Sequence, residues 1–312
     1  MNSKFIKNNF KLYLAVKFIE MSKKIKSVNQ SLQIPKTILL FANFLQSISP
    51  KLVTLFAARL FTTPMKHRIP KREFHMDSES IQSQVKIHSI NKTINSYVYG
   101  SGKNKILLVH GWSGRGTQLV KIADAMLELG YTVVSFDAPA HGKSKGNVSI
   151  MTEFIASILE IEKQFGPFEF AIGHSLGGMS IINATKQNLN IKKAVIIGSG
   201  DIIQDIIDEF IRKLKLKSNI GDLMRTHFEK KYNESMNDYS TSLVAKQVKI
   251  PVLIIHDEND EDVNIKAAFN IEKNLINSKL LITKELGHRK ILGNQKEIDE
   301  IKEIIKNRHL KI

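Results

Sequence analysis

The chain has 312 residues, of which 42% are hydrophobic and 24% charged. That is enough for one sizeable core and excludes a disordered or collagen-like chain. With no Cys, a disulfide framework, thiolate metal sites and a cysteine nucleophile are excluded. The net charge of +16 would suggest a nucleic-acid partner, but it is unevenly spread. Residues 1–75 hold 14 Lys or Arg against Glu20 and Glu73, giving +12, whereas the other 237 residues hold 32 basic and 28 acidic side chains, giving +4. The basicity belongs to the N-terminal segment. With neither a recognisable module nor interleaved aromatics, no nucleic-acid partner is expected.

In chain order, residues 1–80 read as a basic, helical accessory segment. Lys17 and Glu20 interrupt the first apolar run and no A-x-A-like site follows, so no cleavable signal is expected. Met21 offers an alternative start of translation. The uncharged stretch Thr37 to Pro50 has 14 residues, short for a bilayer span. Apolar residues recur at helical spacing on both sides of Pro50: Ile38, Phe41, Leu45 and Ile48, then Leu52, Phe56 and Leu60. Two amphipathic helices are expected here, packed on the main domain; the alternative is peripheral contact with anionic lipid through flanks such as Lys23, Lys24 and Lys26. The expected location is cytoplasmic.

From Gln82 onward β-rich and helical runs alternate, which predicts a mostly parallel α/β sheet over residues 81–312. Val85 to Ile90 and Thr93 to Tyr99 read as a strand pair. Further strands are expected at Ile106 to His110, Thr132 to Asp137, Phe168 to His174, Ala194 to Gly198, Val252 to His256 and Lys279 to Glu285. Helices fall near 117–129, 150–164, 176–187, 264–275 and 295–307. Runs such as Ile106-Leu107-Leu108-Val109 are continuously apolar, as in strands covered on both faces. After the sixth strand, about 200–249 carries helical patterning (Ile202, Ile206, Phe210) and reads as a cap inserted over one end of the sheet.

Gly173-His174-Ser175-Leu176-Gly177 fits G-x-S-x-G, with a good strand before it and a good helix after it. A serine hydroxyl is a poor nucleophile near neutral pH and needs a base within hydrogen-bond reach and an acid to orient that base. Downstream, the cluster Asp257-Glu258-Asn259-Asp260-Glu261-Asp262 follows one strand and Gly287-His288 follows the next, both where open α/β sheets place their sites. The developing oxyanion requires two N–H donors. Leu176 N–H is one candidate and Trp112 N–H, in His110-Gly111-Trp112, the other; Gly111 lets the backbone turn close to substrate. His110, Gly111 and His174 are expected along the substrate path. No H-E-x-x-H or EF-hand spacing occurs, and Gly114-Arg115-Gly116 is too short for a dinucleotide fingerprint, so neither metal nor cofactor is expected.

Five motifs together, His110-Gly111-Trp112, Phe136 to Ser144, Gly173 to Gly178, His256 to Val263 and Gly287-His288, resemble the α/β-hydrolase superfamily of the serine esterase and lipase type over about residues 84–308. The resemblance implies an α/β-hydrolase fold, Ser175 as nucleophile, His288 as base and Asp260 as acid. The superfamily often shows H-G-x-x-D-x-x-V at the acid; here Asp257 replaces the Gly while Asp260 and Val263 keep the frame, leaving Asp257 and Asp262 as lesser candidates. Ala140 stands where Gly is common and suggests a changed turn geometry. Asp137, His141 and Ser144 read as turn residues. The expected activity is hydrolysis of carboxylic esters through an acyl-enzyme. A thioesterase, peptidase or acyltransferase of the same mechanism, or a non-catalytic binding protein of this fold, are the alternatives.

Overall fold

A computed structural model of the protein describes residues 34–306. Helices α1 (Lys36–Ile48) and α2 (Pro50–Phe61) come first, then a short α3 (Phe74–Glu79). The sheet strands are β1 (Ile81–Ile87), β2 (Lys92–Tyr99), β3 (Asn104–Val109), β4 (Tyr131–Asp137), β5 (Phe170–His174), β6 (Lys193–Ile197), β7 (Val252–Asp257) and β8 (Ser278–Thr283). They form one eight-stranded sheet in the order β1-β2-β4-β3-β5-β6-β7-β8. β1 and β2 pair antiparallel with each other, and β2 pairs antiparallel with β4; every later pairing is parallel. The expected strand at Val85 to Ile90 stops at Ile87, because His88–Ile90 form a 3-10 turn and Asn91 takes the left-handed conformation at φ 51°.

Every residue of β4, β5, β6 and β7 is buried. Successive side chains of a strand face opposite ways, so Leu107 and Val109 enter one core while Ile106 and Leu108 enter the other. The first core packs against α5 (Met151–Phe165), α6 (Leu176–Lys186), α9 (Thr241–Ala245) and α10 (Lys266–Asn274), the second against α4 (Val120–Glu128) and α12 (Gln295–Lys306). A third apolar cluster has no strand in it. It joins Val53, Ala57 and Ala58 of α2 to Ile207 and Ile211 of α7 (Ile203–Lys213), Met224 and Phe228 of α8 (Asn219–Tyr232), and Met179 of α6.

The insertion after the sixth strand is thus helical and is bound to the N-terminal hairpin. Periodicity located α1 and α2 but not their inner face. Ala42, Val53, Ala57 and Ala58 are buried and Ile38, Leu45, Phe56 and Leu60 are half-buried, whereas Phe41, Ile48 and Leu52 are exposed. The basic flanks Lys23, Lys24 and Lys26, and Met21, lie outside the described residues.

Candidate active site

Ser175 sits between β5 and α6 with φ 52° and ψ −119°, a conformation that costs a non-glycine residue on the order of 1–3 kcal/mol. The turn is held on both sides. Ser175 N–H donates to the Ile197 carbonyl at 2.8 Å, and the Ser175 carbonyl accepts from Gly178 and Met179. Packing leaves no room for a side chain at Gly177, where a Cβ would lie 2.4 Å from the Val109 carbonyl oxygen. With the Gly178 and Met179 amides engaged and Leu176 opening the helix, the Leu176 N–H has no partner within the helix.

His288 lies in a short helix, α11 (Gly287–Lys290), after β8. Its Nδ1 and the Asp260 Oδ2 are 2.7 Å apart. The other Asp260 oxygen accepts from the Asp262 and Val263 amides, each at 2.8 Å. Burial pushes the Asp260 carboxyl up, but the hydrogen bond and charge of His288 and the Val263 amide outweigh it and hold the carboxyl below its ordinary range. Gly198, at φ 56°, makes space for the pair: a Cβ there would stand 3.2 Å from His288 Nδ1 and 3.4 Å from Asp260 Oδ2.

The other two acids go elsewhere. Asp257 accepts from Thr283 Oγ1 at 2.7 Å, Leu286 N–H at 3.0 Å and Asn259 N–H at 3.0 Å, which pins the segment running up to His288. Asp262 pairs with Lys213 of the cap at 3.1 Å.

Gly111 and Gly114 close a turn, 3.0 Å from N–H to carbonyl, with Trp112 and Ser113 in its middle positions. This turn abuts the nucleophile, since a Cβ at Gly111 would lie 3.0 Å from that of Ser175. The half-buried Trp112 ring meets His141 edge-on at 5.1 Å.

His110 and His174, expected along the substrate path, are both buried. His110 Nε2 accepts from Ala138 N–H at 3.0 Å, so its proton resides on Nδ1 and goes to the Gly111 carbonyl at 2.7 Å. His174 Nε2 donates to the His288 backbone carbonyl at 2.9 Å. Burial, with the neighbouring His288, pushes His174 down to about 3, so it is a neutral brace for the loop that carries His288. Ala140, where a changed turn geometry is expected, holds the left-handed φ of 66° that suits glycine.

Asp137 and Ser144 tie the neighbouring loop together. Asp137 accepts from Gly116 N–H, Lys143 N–H and Tyr97 O–H, and Ser144 Oγ donates to the Asp137 carbonyl.

A contribution unforeseen from sequence comes from residues 65–73. Met65 N–H donates to Ser113 Oγ at 3.0 Å, steadying a residue at φ 56°. The buried Glu73 accepts from Thr117 Oγ1 at 2.8 Å and pairs with Arg115 at 3.3 Å; Arg115 also donates to the Arg68 carbonyl. The segment read as accessory thus latches the loop that presents Trp112. Only the odd pairing of one carboxylate with an otherwise acid-free stretch marks Glu73 in the sequence. Among the described residues, no group of three His, Asp or Glu side chains is placed to hold a metal ion.

Sheet order, the strained Ser175 turn and the loops after β7 and β8 define the α/β-hydrolase fold, and comparisons with known proteins agree. A family model described as the alpha/beta hydrolase fold matches residues 104–218. A 2-hydroxy-6-oxononadienedioate/2-hydroxy-6-oxononatrienedioate hydrolase of Escherichia coli is 24% identical over 237 residues, covering 61% of this chain and 82% of that protein. Among solved structures, a Pyrococcus furiosus esterase superposes with a TM-score of 0.62 at 16% identity, covering 78% of this chain and 98% of its own. An esterase from Exiguobacterium antarcticum gives 0.58 at 16% identity, covering 72% and 100%. The chain has the α/β-hydrolase fold.

Proposed function

We propose that the protein is a serine hydrolase of carboxylic esters. The observation that carries this reading is the 2.7 Å contact between Asp260 and His288 Nδ1, which leaves Nε2 as the basic nitrogen, at the sheet end where Ser175 stands on its strained turn. Ser175 Oγ attacks the acyl carbon as its proton passes to His288 Nε2. The Leu176 and Trp112 N–H groups stabilise the tetrahedral oxyanion. Collapse breaks the ester C–O bond, the alcohol leaves with the proton from His288, and a water deprotonated by His288 then cleaves the acyl-enzyme. Asp260 orients the ring and stabilises its imidazolium.

The dienedioate in the name of the Escherichia coli relative is a dianion. What favours a neutral acyl chain here is that Leu176, next to Ser175, packs into an apolar cluster with Met179, Val53, Ala57, Ile207 and Phe210. Such surroundings disfavour a carboxylate without a counter-charge. Ser175→Ala tests the reading: it should abolish both fluorophosphonate labelling and p-nitrophenyl ester turnover, and undiminished turnover would overturn it. The same pair of proteins assayed on acyl esters, thioesters and amides separates the esterase from its mechanistic relatives.

A further inference from the structure

Among the described residues, the outer face of the N-terminal hairpin is apolar and exposed. Leu40, Phe44 and Ile48 recur at every fourth residue of α1 and are 73%, 58% and 57% exposed. Beyond the corner at Ser49-Pro50, Leu52 and Leu55 of α2 continue the ridge, and Phe41, edge-on to Phe56 at 5.1 Å, sits beside the seam. Cations close both ends at the same helical spacing: Lys36 lies four residues before Leu40, and Arg59 four after Leu55. From residue 34 to residue 72 there are seven Lys or Arg and no acid.

We propose that this face is an interfacial membrane-docking surface for bilayers bearing anionic headgroups. Its ridge enters the headgroup and upper acyl region while Lys36, Lys51 and Arg59 stay among the phosphates. The two helices, of 13 and 12 residues, are about 20 and 18 Å long, short of the roughly 30 Å hydrocarbon core, so they lie on the bilayer rather than cross it. Charge selects lipid over the two occupants this chain could itself supply. A second copy would bring an equally basic face, and residues 1–33 hold seven Lys or Arg against Glu20 alone. Either would set like charges against each other, whereas phosphatidylglycerol or phosphatidylserine supplies the opposite sign.

The test is sedimentation of the full chain with phosphatidylcholine vesicles, with and without phosphatidylglycerol, for the wild type and for the double variant Leu40→Glu, Phe44→Glu. Both sites are exposed, so the melting temperature should be unchanged, and it serves as the folding control. The wild type should pellet with the anionic vesicles, more weakly with pure phosphatidylcholine and more weakly at high salt. The double variant should lose about tenfold or more in partitioning. A wild type that stays in the supernatant with both vesicles overturns the proposal. So does equal pelleting of wild type and variant, which would assign binding to charge elsewhere. A lipid-free dimer that the double variant splits also overturns it, since the face would then be an interface between copies.

Discussion

Asp257 and Asp260 stand three residues apart on one loop, yet the structure gives them different partners. Asp260 faces the His288 ring, while Asp257 takes the Thr283 hydroxyl and backbone amides. Asp260→Asn should therefore lower ester kcat by about 10³ to 10⁴, the scale of losing the acid that fixes a histidine's tautomer. Asp257→Asn should weaken three hydrogen bonds to a buried carboxylate and reduce stability by about 1–3 kcal/mol in urea unfolding. If Asp257→Asn proved the worse catalyst at unchanged stability, the acid would have to be reassigned. Composition alone does not separate the two, because five of the six residues from 257 to 262 are acidic. What singles out Asp260 is its frame with Val263, whose amide binds Asp260 Oδ1. The burial of His110 and His174 is illegible in the sequence for a related reason. Sequence shows a histidine beside a turn but not which way its ring points, and burial decides that.

At the scale of elements, the central strands were legible because continuous apolar runs have one explanation, coverage on both faces. The latch of residues 65–73 was not, since it depends on single contacts between segments some 40 residues apart, which no periodicity records. Burial pushes the Glu73 carboxyl up despite Thr117 and Arg115, so the site is held by pairing rather than by solvent. Glu73→Ala should leave the buried Arg115 without its carboxylate and cost about 3–5 kcal/mol. The single Trp of the chain, Trp112, sits on the latched loop, so its emission should shift to the red in the same variant. Unchanged emission and an unchanged urea midpoint would mean that the latch carries no load.

For the molecule as a whole, buried histidines set the acid limit of stability. Burial, helped by Lys66, holds His141 down to about 4, and burial with His288 holds His174 down to about 3. Both lie below the ordinary 6.5 or so of an unfolded chain. Between about pH 6.5 and 4 the unfolded state therefore binds protons that the folded state refuses. Stability falls as pH falls, by about 1.4 kcal/mol per unit for each ring. Asp260, with its lowered carboxyl, contributes stability above its ordinary range that is lost at still lower pH. The urea midpoint should drop between pH 7 and pH 5, and His141→Asn should make that slope shallower by about one proton; equal midpoints at the two pH values would contradict it.

The apolar hairpin and the latch are consecutive in the chain. From Phe61, the last residue of α2, to Met65, whose amide holds Ser113, is four residues, at most about 14 Å of extended backbone. Whatever grips the hairpin therefore holds the Trp112 turn on a short leash, and a tag, label or surface attached there is never mechanically remote from the nucleophile.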